Sequence, residues 1–191
     1  MPAARRSGSP WSAFSICTNN YLAFLLFFRT FAIKNGEGTS KFPPMTEQEK
    51  DERYMRMALD EAHKAYNEGE IPIGAVIVCR DQVVARAHNL TETLCDVTAH
   101  AEMQAVTAAA NTLGGKYLTD CTLYVTVEPC TMCAGALGWS QVARIVYGCP
   151  DEKRGYQLYA PRALHPKTQI ASGTLQEECR KLMQDFFRQK R

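Results

Sequence analysis

Two short motifs, His100-Ala-Glu102 and Pro129-Cys-Thr-Met-Cys133, constrain this chain more than any other feature, the second beginning 27 residues after Glu102. In the surrounding pattern each opens a helix after a strand. A helix start carries unpaired N–H groups and a positive dipole end, which favour anions and deprotonated thiols. If the strands leading into them are parallel neighbours, the two helix starts meet at one sheet edge. One imidazole (His100) and two thiolates (Cys130, Cys133) then suffice to hold a tetrahedral zinc and leave a fourth position for water, whose pKa falls from about 15.7 to near 7 on such an ion. Residues two apart on a helix face different ways, so Glu102 points beside the metal, where it can carry a proton from water to a ring nitrogen and a leaving amine.

Other readings of the parts stay open at this point. A lone Cys-x-x-Cys is often a redox pair, but a redox pair has no use for His100 or Glu102. A closed structural zinc site needs a fourth ligand, for which Cys95, Cys121 and Cys149 are candidates. A noncatalytic zinc scaffold would leave Glu102 without a task.

The rest of the chain limits the setting. Its 191 residues, 46% hydrophobic, suit one domain with some surplus, and exclude a fibre, a collagen repeat and a wholly disordered chain. Eight scattered cysteines in a chain able to build its own core point to a reducing, cytoplasmic setting rather than a disulfide scaffold. The overall charge of +2 hides an uneven distribution. Residues 45–143 hold seven Lys/Arg against fourteen acids, net −7, and residues 144–191 hold ten against five, net +5. A basic final quarter can meet a polyanion, while the acidic middle argues against nonspecific coating of nucleic acid.

Residues 1–44 read as an extension, disordered or outside the native domain. Their apolar stretch Tyr21–Phe28, stopped by Arg29, is far short of the roughly 20 residues that span a bilayer, so no membrane span is expected. The folded domain is expected over 45–191, because Thr46 followed by Glu49 fits a capping box. A helical stripe follows over 47–68, stopped by Gly69. Apolar runs 71–79 and 83–88 read as a hairpin, the first apolar on both faces and therefore covered by helices on both sides. Helix 99–113, strand 122–127, helix 131–140, strand 143–148 and helix 175–188 follow, with 155–173 read as loop. The pattern predicts an α/β fold: a central mixed sheet with helices on both faces, in three α/β/α layers.

The pattern H-x-E then P-C-x-x-C is the signature of the zinc-dependent cytidine/deoxycytidylate and adenosine deaminases. The chain resembles that superfamily, and its bacterial tRNA-specific adenosine deaminases most. Gly69-Glu-Ile-Pro-Ile-Gly-Ala-Val76, Thr98-Ala-His-Ala-Glu102, Tyr124-Val-Thr-Val-Glu-Pro-Cys-Thr-Met-Cys-Ala-Gly-Ala136 and Glu177-Glu-Cys…Asp185-Phe-Phe-Arg188 carry the resemblance in order. It implies the cytidine-deaminase-like fold, a homodimer, Zn2+ on His100, Cys130 and Cys133, and Glu102 as proton shuttle. It also implies Asn89 holding the substrate nucleoside, where the residue alone would equally cap a turn before Thr91. Ile73 and Val127 match apolar walls around the base, and Ala101 matches a position whose backbone N–H lies near the reacting centre.

The implied activity is hydrolytic deamination of adenosine to inosine at the wobble position of tRNA by zinc-activated water. The alternative is a zinc-dependent deaminase of a free base or nucleoside (guanine, cytosine, cytidine or adenosine). The resemblance departs at Asp96-Val-Thr98, where proline usually fills the middle, and between Gly155 and Gly173, which is several residues shorter than in the best-known members. That shorter segment offers Leu164-His165-Pro166-Lys167 and, with Arg154 and Arg162, supplies the candidate contacts to a tRNA anticodon loop: Arg154, Arg162, His165 and Lys167. Tyr156 and Phe186 are further candidates for outer contacts, and Leu137 and Trp139 for the surface between two copies.

Overall fold

A computed structural model describes residues 45–190, and the expectations for residues 1–44 lie outside the described residues. The Thr46 hydroxyl accepts the Glu49 N–H at 3.2 Å and the Glu49 carboxylate accepts the Thr46 N–H at 2.7 Å, the reciprocal pair the sequence predicts. Helix α1 (Glu47–Asn67) buries Tyr54, Met55, Ala58, Leu59, Ala62 and Ala65 along one stripe. Gly69, at φ 79°, turns the chain out of it.

Strands β1 (Gly74–Cys79) and β2 (Gln82–His88) form an antiparallel hairpin. Arg80 and Asp81 between them both have positive φ, 50° and 60°, which is the two-residue turn that matches the right-handed twist of the flanking strands. Then come α2 (Ala101–Leu113), β3 (Cys121–Val127), α3 (Thr131–Trp139), β4 (Arg144–Cys149), the single turn α4 (Tyr156–Tyr159), β5 (Gln169–Ser172) and α5 (Gln176–Gln189).

The sheet order is β2-β1-β3-β4-β5. β1 is antiparallel to β2 and β3, while β3, β4 and β5 run parallel, so the sheet is mixed as expected. One expectation is corrected here. The strands leading to His100 and Cys130 are β2 and β3, which run the same way but have β1 between them. The two helix starts still share an edge because both strands end there: His88 pairs with Gly74, and Val125 with Ala75.

Alternation along β1 sends Ala75 and Ile77 to the face covered by Ala101, Ala105 and Ala109 of α2. Val76 and Val78 go to the other face, with Tyr54 and Met55 of α1 and Cys179 and Leu182 of α5. This two-sided burial explains the unbroken apolar run; each fully buried side chain of the size of Ile77 contributes about 1.5–3 kcal/mol. Gly74 is required where α1 crosses β1, because a Cβ there would collide with the Ala58 carbonyl. Asp51 ties the same helix to the sheet, accepting from Arg144 at 2.7 Å and from the Tyr124 hydroxyl at 3.0 Å.

The segment read as loop holds α4 and the edge strand β5, which pairs with β4. β5 was hidden because it is four residues long, polar at both ends and mostly exposed, so it carries no period-2 signal. Leu137 is fully buried against α2 and the sheet, not on a free face. Tyr156 and Phe186 are also buried, Phe186 stacked edge-on against Tyr66, so neither is an outer contact. Among the described residues, no helix is long and apolar enough to cross a membrane.

Candidate active site

His100 and Cys130 occupy the cap positions immediately before α2 and α3, both with extended backbone and neither using its side chain as a cap. Their backbone carbonyls accept the first helical bonds, from Gln104 at 3.0 Å and Ala134 at 2.8 Å, so the side chains stay available. Cys133 is one turn into α3 and fully buried. The two loops thus aim an imidazole and two sulfurs at one point.

His100 Nδ1 lies 3.6 Å from Cys130 Sγ and 3.5 Å from Cys133 Sγ. Zinc bonds of about 2.3 Å to sulfur and about 2.0–2.1 Å to nitrogen, at a tetrahedral angle, put sulfur and nitrogen about 3.6 Å apart. The donor atoms are therefore already at the separations of a three-ligand zinc site. His100, Cys130 and Cys133 are the only such His/Cys/Asp/Glu group found among the described residues, which leaves Cys95, Cys121 and Cys149 outside it. The seven described cysteines are all unpaired.

The electrostatics fit the same use. Cys130 is held far below its usual thiol range, first by the Cys133 thiol and then by His100, while the hydrogen bond to Cys130 and burial push Cys133 up. A cation binds the thiolate form, so its binding between the two sulfurs releases the protons they carry. Hydrogen bonding to Cys130 raises His100 above its ordinary value.

Glu102, on the first turn of α2, is 3% exposed, and its Oε2 is the buried side-chain atom without a hydrogen-bond partner among the described residues. Burial, ahead of every other cause, pushes its pKa up to about 7. An orphaned carboxylate oxygen beside three metal-type ligands is a group awaiting a partner that the fold itself does not supply.

The remaining predicted residues are placed less uniformly. Asn89, 2% exposed, follows β2; its N–H donates to the Ile73 carbonyl at 3.1 Å, and Leu90 N–H donates to Ala99, the neighbour of His100. Ile73 lies at the sheet edge between the two core clusters, Ala101 is the fully buried first residue of α2, and Val127 packs in the cluster beneath α1 and α5. The Asp96-Val-Thr98 departure is accommodated by a local turn, in which the Asp96 carboxylate accepts both the N–H and the hydroxyl of Thr98 at 2.8 Å. Arg154 joins Lys153, Tyr159, Cys130, Thr131 and Met132 in lining an open pocket. Arg162, His165 and Lys167 do not line it; His165 Nδ1 instead accepts the Lys167 N–H at 3.3 Å.

Among the buried carboxylates that escaped the sequence reading, Glu128 and Glu70 hold the loops around the site. Glu128, just before Pro129, accepts the N–H of Asp151 at 3.2 Å and of Gln157 at 3.1 Å, and so fastens the Lys153–Arg154 loop to the cysteine loop. The Tyr156 N–H adds a bond to the Pro129 carbonyl at 2.9 Å. Glu70, fully buried after Gly69, gathers the loop after β2. The available signal was the same for both: an acid flanked by apolar residues and proline, where a surface charge is not expected.

Comparison with known proteins adds a second line of support. The family model for the cytidine and deoxycytidylate deaminase zinc-binding region matches residues 48–149. The tRNA-specific adenosine deaminase of Bacillus subtilis (strain 168) is 44% identical over 146 residues, covering 74% of this chain and 91% of that protein. A solved structure from studies of A-to-I editing by tRNA:A34 deaminases at the wobble position aligns with TM-score 0.64 and 39% identity, covering 68% of this chain and 98% of that one. A guanine deaminase from Bacillus subtilis aligns with TM-score 0.51 and 37% identity over 56% of this chain and 66% of its own.

Proposed function

The chain belongs to the zinc-binding cytidine and deoxycytidylate deaminase family, closely related to the bacterial tRNA-specific adenosine deaminases, and from that premise we propose that it hydrolyses adenosine to inosine at the wobble position of tRNA. The observation that carries the chemistry is the unpartnered Glu102 oxygen beside the His100, Cys130 and Cys133 ligand set. The observation that favours this substrate is the identity across nine tenths of a tRNA-specific relative.

His100, Cys130 and Cys133 would hold the zinc. When bound, zinc supplies the Lewis acidity that makes water a nucleophile at neutral pH. Glu102 accepts the proton released as water attacks C6 of the purine and delivers it to N1. Glu102 then takes the proton of the new C6 hydroxyl and passes it to the exocyclic amine, so that the C6 carbonyl forms as the C–N bond breaks, ammonia leaves and inosine remains. Asn89 and the Ala101 backbone orient the nucleoside, with Ile73 and Val127 as apolar walls. Burial of Glu102 keeps its proton transfer away from bulk water.

The reacting base must leave its stack to enter such a site, which suits a flexible loop. Lys153 and Arg154 line the pocket that opens beside Cys130, where they can meet phosphates flanking that base. Arg162, His165 and Lys167 extend the basic surface. The catalytic domain is 45–191, working in the cytoplasm as a homodimer. Trp139, 86% exposed at the end of α3, together with exposed Leu158 and Tyr159, is the apolar surface a second copy would cover.

The test is deamination of tRNA transcripts beside free adenosine, cytidine and guanine at several salt concentrations. Inosine at the wobble position, with affinity falling as salt rises, is the expected result. Efficient turnover of a free base with no salt-dependent RNA binding replaces tRNA by the alternative substrate class and keeps the deaminase.

A further inference from the structure

We propose that Glu70 is a positioning residue that fixes the orientation of the Asn89 carboxamide, an inference that rests on the reading of Asn89 as a nucleoside-holding residue. Glu70 sits in the turn between α1 and β1 with no exposed surface. Its Oε2 accepts from Asn89 Nδ2 at 3.0 Å, the Thr91 hydroxyl at 3.2 Å and the Glu92 N–H at 3.2 Å, and its Oε1 accepts from the Thr93 N–H at 2.7 Å. Burial pushes the carboxyl up, but the Thr93 and Glu92 N–H groups with Asn89 outweigh it, and its pKa lies below the ordinary value.

A buried carboxylate that only gathered a loop would need the backbone donors alone. The amide is what sets this one apart. The two ends of a carboxamide have nearly the same shape and differ only in polarity, so a neighbour able both to donate and to accept leaves the flip unspecified. An ionised carboxylate only accepts. The Thr91 hydroxyl, having given its one hydrogen to Glu70, also presents only lone pairs, and it accepts from Asn89 Nδ2 at 2.9 Å. Both neighbours therefore require the NH2 end, and turning the amide over would set its oxygen against two acceptors. Asn89 is left with Oδ1 directed away from the Glu70–Thr91 pair, in a fixed donor–acceptor order. The same loop is bonded through the Leu90 N–H to the carbonyl of Ala99, the residue before the ligand His100, which ties the loop that carries the ordered amide to the metal-binding loop.

The experiment is a double-mutant cycle on the full, zinc-loaded chain: Glu70→Gln, Asn89→Ala and the pair, with kcat, KM, zinc content and thermal midpoint measured on a tRNA transcript. The glutamine amide can offer either end to Asn89, so discrimination between the flips is lost. Glu70→Gln should raise KM by about tenfold, the equivalent of one charge-assisted hydrogen bond, with kcat within about twofold and zinc unchanged. In the Asn89→Ala background the same change should move KM by less than about twofold, since no amide remains to orient. Equal effects in both backgrounds, or no effect of Glu70→Gln alone, overturn the proposal and leave Glu70 a loop anchor. If Glu70→Gln does not fold, Glu70→Asp, which keeps the carboxylate but withdraws it from Asn89 by one methylene, takes its place in the cycle: its KM increase must likewise vanish with Asn89→Ala. Should the unaltered protein turn over only a free base, the tRNA reading fails, and the cycle on that base still decides whether Glu70 acts through Asn89.

Discussion

Substituting Gly155 by alanine probes how the basic loop is attached to the cysteine loop. A Cβ at this position would lie 2.5 Å from Cδ and Oε1 of Glu128 and 2.6 Å from its Oε2, whereas ordinary contact begins at 3.4 Å. Glu128 is 7% exposed, so a retreat of nearly 1 Å pulls its carboxylate away from the Asp151 and Gln157 N–H groups. Each such charge-assisted bond is worth about 1.5–3 kcal/mol, and water entering the loosened loop restores part of it. The net cost should be about 1–3 kcal/mol, the usual range for overpacking. At about 2–4 °C per kcal/mol for a chain of this size, the thermal midpoint should fall by about 2–12 °C. The freed loop carries Lys153, Arg154 and Tyr159, so KM for tRNA should rise while zinc content stays constant, because His100, Cys130 and Cys133 are untouched. The assay is a thermal scan with steady-state deamination of a tRNA transcript, repeated in a Glu128→Ala background, where the methyl group has room and its added cost should shrink below about 1 kcal/mol. An unchanged midpoint and KM for Gly155→Ala, or the same cost with and without the Glu128 carboxylate, would refute the reasoning.

Three further outcomes follow from the site. Glu102→Gln should lower kcat by about 10²–10⁴ with zinc still near one per chain; metal loss with activity in proportion to occupancy would show that Glu102 acts as a ligand instead. Cys133→Ala should reduce zinc to a small fraction by metal analysis and abolish deamination, and retained stoichiometric metal would mean that Cys133 is not a ligand. Deleting residues 1–44 should leave midpoint and deamination rate within a few degrees and about twofold, since helix α1 begins at its own capping box at Thr46; a larger drop in thermal scans or rate would place those residues in the working domain.

The metal site was legible in the sequence because its chemistry is local: a ligand just before a helix and a two-residue spacer within its first turn are both short-range patterns. Element positions were legible for the same reason, the apolar stripes of α1 and the two-faced run of β1 having clear periods. Strand order was not. The interposition of β1 between β2 and β3 is decided by which strands pair at long range, and nothing in residues 74–79 encodes a partner. Glu70 and Glu128 were missed because a buried carboxylate is recognised by its donors, most of them backbone N–H groups, and those have no letter in the sequence. Tyr156 and Phe186 show the opposite error, in which aromatics beside basic residues suggested a nucleic-acid surface while packing claimed both rings.

The two ligands that precede helices α2 and α3 leave those helices without side-chain caps. Serine or aspartate at either position would offer the first-turn N–H groups a stronger acceptor and add about 0.5–2 kcal/mol to a fold judged by melting temperature alone. A stabilisation campaign scored only on heat resistance would therefore rank His100 and Cys130 among its first targets and select, with apparent success, for proteins unable to hold their metal. The converse serves as a search rule: in an uncharacterised α/β chain, adjacent helices that both begin on poor capping residues with metal-binding side chains mark a place where the fold has been left suboptimal for the sake of chemistry.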